Sequence, residues 1–93
     1  MPPFDPPKAK SVIQIALWGG MTQFETFDPK PEADPEYRSA FQAIDTNVPG
    51  IQVCELLPKL AQMADKYSIL RTMFNFRTGH GDAAYPMVTG TPY

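Results

Sequence analysis

The sequence predicts an α/β fold, a partial parallel sheet with flanking helices. Three features carry this expectation. Ser11–Trp18 (SVIQIALW) is apolar except at Ser11 and Gln14, as expected for a strand buried on both faces. The stretch LLPKLAQMADKY places Leu56, Leu60, Met63, Ala64 and Tyr67 on one helical face, and Ser68–Phe74 (SILRTMF) then reads as a second strand. Strand, connection, helix, strand and helix is the order of a right-handed parallel unit.

Residues 1–10 form a proline-rich leader with little to pack. Gly19-Gly20 ends the first strand, because residues without Cβ permit a sharp turn and close backbone approach. Three prolines make the following MTQFETFDPKPEADP stretch a loop. Tyr37, Ala40, Phe41 and Ile44 have helical spacing and predict a short helix over 36–44. Asn47–Gly50 is a turn signal, and Ile51–Val53 a short edge strand. Pro58 suits the first turn of the next helix. His80–Gly90 reads as a loop entering a helix that stops at Gly90 and is made irregular by Pro86. Trp18, Leu56, Leu60 and Met63 are expected in the core, with Cys54 as a small buried hydrophobe.

Composition narrows the functional classes. The 93 residues hold at most one small domain, and 11 prolines are more than twice the ~5% average. Eight Lys+Arg against ten Asp+Glu give a net charge of −2 without a basic cluster, so nucleic acid is not an expected partner. The apolar runs are far shorter than the ~18 residues that span a bilayer. One cysteine, Cys54, forms no internal disulfide. Two strands and two or three helices cannot cover both faces of a parallel sheet. The expectation is therefore that residues 11–93 are the incomplete N-terminal portion of a larger domain, truncated at Tyr93, whose partner is the remainder of that domain.

Open parallel sheets bind ligands beyond the carboxyl ends of their strands. The first such loop carries Gly19, Gly20, Thr22, Glu25 and Asp28; the second carries Asn75, Arg77, Thr78 and His80. Carboxylates with an imidazole suit a divalent metal, and Arg77 suits an oxyanion. These groups meet if the two strands are neighbours. Each also has a purely structural reading: a strand-ending turn for Gly19-Gly20, a turn cap for Asp28, a solvated Glu25 and a hydrogen-bonded His80. Arg71, inside the second strand, is expected to snorkel or to pair with an acidic neighbour.

The segments LWGGMTQFETFDPKP (17–31), TNVPGIQVCELLPKLAQMADKYSILRTM (46–73) and GHGDAAYPMVTG (79–90) resemble the start of a bacterial exported sulfatase-like family of unknown function, of the DUF1501 type, in the alkaline phosphatase superfamily. The resemblance implies an alkaline-phosphatase-like three-layer fold, a periplasmic or extracytoplasmic location and a longer chain with a twin-arginine export signal. It also implies metal-dependent hydrolysis of a sulfate or phosphate ester, with zinc or calcium as the metal. On this resemblance Glu25 and Asp28 would be metal ligands and His80 would occupy the catalytic position, while Gly19, Gly20 and Arg77 are expected to contact the anion from their place in the two loops.

Two departures from that pattern bear on the chemistry. Active sulfatases carry paired aspartates where this chain has Gly19 and Gly20. Their Cys/Ser-x-Pro-Ser-Arg motif precedes four apolar residues and Thr-Gly; counting back from Thr89-Gly90 places His80 at the nucleophile and Ala84 at the arginine. A histidine cannot become the formylglycine hydrate that sulfatases use. The fragment itself is expected to be inactive and to aggregate or behave as a molten globule. A second expectation is a non-catalytic exported binding or scaffold protein that keeps the fold without the chemistry.

Overall fold

The computed structural model describes Pro6 and residues 8–91. Most of the proline-rich leader, with Pro92 and Tyr93, lies outside the described residues. The chain is a small mixed α/β arrangement built on one antiparallel hairpin. Strand β1 (Ala43–Asp45) pairs with β2 (Gln52–Cys54) in the register Ala43 to Cys54, Ile44 to Val53 and Asp45 to Gln52.

The turn predicted at Asn47–Gly50 closes this hairpin. Gly50 has φ +82°, a left-handed conformation that side chains disfavour. The Ile51 amide donates to the Val48 carbonyl at 3.2 Å, and the Thr46 hydroxyl both donates to the Val48 carbonyl and accepts from its amide. The edge strand expected at Ile51–Val53 is β2, one residue later.

The helix predicted over 36–44 does not form. Pro35–Tyr37 makes one 3-10 turn, Arg38 is extended, and Ala43 and Ile44 belong to β1. The Ser39 hydroxyl accepts the Phe41 amide at 3.0 Å, a local alternative to the helical ladder. Nine residues without a cap nucleate a helix poorly, and pairing with β2 prevails.

Helix α1 begins at Pro58 as expected but ends at Ala61, followed by a 3-10 turn at Ala64–Lys66. The Leu60 carbonyl takes the Tyr67 hydroxyl at 2.9 Å and the Met63 amide at 3.1 Å, tightening the chain out of α-helical geometry. The packed face shifts accordingly: Ala61 and Ala64 are buried, Leu60 and Tyr67 half-buried, and Leu56 and Met63 exposed.

The core is small. Val53 and Cys54 are fully buried, joined by Ala61, Ala64 and the polar Thr26. Cys54 is thus a buried hydrophobe, as its sequence neighbours predict. Its amide donates to the Thr26 carbonyl at 2.8 Å, fastening loop 22–29 to β2. Thr26 satisfies its own hydroxyl on the Thr22 carbonyl at 2.9 Å. Phe27 and Tyr67 meet edge to face at 5.9 Å.

Neither predicted main strand forms. Residues 11–18 and 68–74 carry no strand, and the sheet among the described residues is two-stranded and antiparallel rather than parallel. No backbone–backbone hydrogen bond among the described residues joins 11–16 to another segment, and a strand exists only where its ladder is paired. Val12 and Ile13 are 86% and 89% exposed, and Trp18, expected in the core, is 63% exposed. The radius of gyration, 16.1 Å, exceeds the ~12 Å of a compact chain of this length.

The final helix, α2 (His80–Thr89), stops at Gly90 as expected but begins at His80, without the entering loop that the sequence predicts there. Gly90 terminates it with φ +74°, and its amide donates a hydrogen bond to the Pro86 carbonyl. Pro86 lies inside it, where it cannot donate to the helical ladder.

Candidate functional site

The glycine turn and the start of α2 come together. Gly19 has φ +64°, and the Gly20 amide closes the turn on the Leu17 carbonyl at 3.2 Å. An ideal Cβ built on Gly19 would fall inside the His80 imidazole, nearest Nδ1. The ring therefore sits directly on the bare Cα of Gly19. His80 is the first residue of α2 because Gly79 is still extended, and the Ala83 amide closes the first turn on the Gly79 carbonyl at 2.8 Å. Asp82 in that turn complements the helix dipole.

Between residues 14–19 and α2 lies a cleft of about 410 Å³, lined by Leu17, Trp18, His80, Ala83 and Val88 among others. His80 is exposed on its rim. The Asn75 side-chain amide donates to the Ala83 carbonyl at 2.8 Å and ties the 68–76 segment to the same helix.

The carboxylates do not join this cleft. Asp28 sits beside a different cavity of about 900 Å³, in company with Lys30, Tyr67 and Arg71. Its carboxylate pairs with Lys30 Nζ at 3.1 Å and Arg71 Nε at 3.8 Å, so the acidic partner expected for Arg71 is Asp28. Glu25 is exposed on the loop surface. Among the described residues, no group of three or more His, Cys, Asp or Glu is placed to hold a metal ion. The Glu25 and Asp28 pair, as arranged, does not fit a metal with His80.

The anion contacts also divide. Gly19 touches His80, whereas the Gly20 amide is engaged in its own turn. Arg77 opens on a further cleft with Asp82, Pro86 and Gly90, and its amide donates to Asn75 Oδ1 at 3.0 Å. Of the six site residues expected from sequence, Gly19 and His80 are the pair that the fold brings into direct contact.

Sequence reasoning missed the reach of Arg71. Its Nε and Nη2 both donate to the Phe27 carbonyl, at 3.0 and 2.7 Å, and Nη2 also donates to the Gln52 carbonyl at 2.8 Å. One guanidinium thus clasps loop 22–29, strand β2 and the 68–74 segment. Its signal in the sequence is a lone arginine within an apolar run. Trp18 is likewise visible beside Gly19-Gly20, but it forms part of the cleft wall instead of the core.

The family model of a protein of unknown function, DUF1501, matches residues 9–93. The chain belongs to the DUF1501 family. No curated protein and no solved structure shows significant similarity to it. As a DUF1501 chain it presents a glycine turn and a histidine-led helix at one apolar cleft. No helix among its described residues is long and apolar enough to cross a membrane.

Proposed function

We propose that this DUF1501 chain contributes the N-terminal part of a sulfatase-like α/β domain that hydrolyses a sulfate or phosphate ester. The contact of His80 with Gly19 carries the reading, because it joins the loop after residues 11–18 to the start of α2. An imidazole at a helix N-terminus beside a glycine turn is suited to bind an ester oxyanion or to move a proton on it. In the complete domain, 11–18 and 68–74 would form parallel strands of an alkaline-phosphatase-like sheet, covered by the remainder of that domain. Their exposed apolar side chains support this. A zinc or calcium ion would require donors beyond Glu25, Asp28 and His80, and this reading routes no step through one. The 93 residues alone are inactive in this reading.

The test is hydrolysis of a chromogenic phosphate ester and a chromogenic sulfate ester by the protein carrying the complete domain, together with metal analysis. Turnover that is lost in His80→Ala is the expected result. Absence of turnover, or full activity in His80→Ala, removes the hydrolase reading.

A second reading is a non-catalytic exported binding or scaffold protein. It is favoured by Asp28, whose charge is already engaged by Lys30 and Arg71, and by the lack of a sulfatase nucleophile and arginine at positions 80 and 84. It predicts ligand binding without turnover.

A further inference from the structure

We propose that Gly19 is a positioning residue for His80, setting the imidazole so that Nε2, and not Nδ1, is presented to the oxygen of an anionic ester. The ligand part of this proposal rests on the hydrolase reading above; the ring placement does not.

Two separate requirements make residue 19 a glycine. Its φ of +64° lies in the left-handed region. In addition, a side chain there would occupy the space of the imidazole, with Nδ1, Cε1 and Cγ the atoms met first. The neighbouring Gly20 meets neither demand, since its Cβ would approach only Leu17 Cβ at 4.0 Å and its φ is not positive.

His80 is anchored through its backbone as the first residue of α2, so the orientation of its ring is left to two side-chain torsions. The bare Cα of Gly19 is a flat wall against the Nδ1–Cε1 edge. Nδ1 is the ring atom nearest that wall, and Nε2 is not among the three nearest. A protonated Nε2 would donate a hydrogen bond to an ester oxygen, the interaction that strengthens as negative charge develops.

His80 is the only histidine in the chain, so histidine-selective ¹⁵N and ¹³C labels report this ring alone. In the wild type, ring signals should lie away from free-histidine positions. Gly19→Ala should move them toward those positions, while Gly20→Ala should leave them in place. Carboxymethylation with bromoacetate provides an independent readout, in which a nitrogen–CH2 bond forms, bromide leaves and the ring proton passes to solvent. It should favour Nε2 over Nδ1 several-fold more in the wild type than in Gly19→Ala.

If Gly19→Ala folds poorly, a thermal double-mutant cycle decides the matter: the alanine should cost less in a His80→Ala background, where the ring is gone. Free-histidine signals in the wild type, equal responses to Gly19→Ala and Gly20→Ala, preferential modification at Nδ1, or an additive cycle would each overturn the proposal. Loss of the hydrolase reading would leave all these ring measurements unchanged, so the two failures are separable.

Discussion

Two regions of similar apolarity meet opposite fates in this chain. The hairpin with α1 buries Val53, Cys54, Ala61 and Ala64, whereas the arms 11–18 and 68–76 expose Val12, Ile13, Leu70, Phe74 and Phe76. The difference is backbone pairing. Ile44 and Val53 are opposite one another in a closed ladder, and Cys54 is further bonded to Thr26. Ile13 and Ile15 belong to a segment without such a ladder. Apolar side chains lower the free energy only where a neighbouring surface excludes water from them, and a strand also needs its amides and carbonyls satisfied.

The sharpest way to break this contrast is to place a charge in each region. Val53→Asp puts an unpaired carboxylate in a fully buried position, at a cost of several kcal/mol. Amide protection of residues 43–54 should collapse. Ile13→Lys and Phe76→Lys, at sites 89% and 88% exposed, should alter thermal stability by less than ~0.5 kcal/mol while raising solubility. A large stability loss from either lysine would mean that the arms are packed after all.

The link between the regions is Arg71. Arg71→Ala removes its bonds to the Phe27 and Gln52 carbonyls, with an expected loss of roughly 1–3 kcal/mol. Hydrogen exchange should accelerate around loop 22–29 before it does in the hairpin. Lysine at 71 should rescue only in part, because a single ammonium cannot reproduce the planar fork.

At the hairpin turn, Gly50→Ala should cost about 1–2 kcal/mol through its positive φ, although no atom lies within contact of a new Cβ. Equal melting temperatures for the two proteins would contradict this account of the turn.

The smallest effect concerns pH. Asp65 has its carboxyl held below the ordinary value of 3.8 by its bond to Lys66 and then by that from Asn47. The pair distances are 2.6 Å to Lys66 Nζ and 2.7 Å from Asn47 Nδ2. Because the folded value is depressed, this stabilisation is present above the unfolded value and is lost as pH falls through the folded one. Asp65→Asn should therefore lower stability slightly in the neutral region and leave the acid end unchanged, which flattens the acid limb of a stability-against-pH curve. An unaltered acid limb would remove Asp65 from the linkage.

The legible parts of the fold are those set by local chemistry. Pro58 begins α1, Gly50 closes a turn, and Gly90 stops α2, each through its own backbone restriction. The family is legible too, from the glycine turn, the VPGIQ segment and the closing Thr-Gly. The 36–44 helix fails because its C-terminal residues Ala43 and Ile44 pair with β2, and Ile44 is the one residue of the helical period that does so. The site is half legible: His80 and Gly19 stand out in their loops, but the engagement of Asp28 by Lys30 and Arg71 requires their positions in space.

The sequence by itself determined the turns, the helix boundaries at Pro58 and Gly90, and family membership, because those depend on the restrictions and spacing of residues close in the chain. Tertiary structure alone decided which apolar segments found a partner, which carboxylate met an arginine 43 positions away, and that the His80 ring rests on Gly19. Hydrogen-bond pairing and steric exclusion act between residues distant in sequence, so neither composition nor periodicity records them.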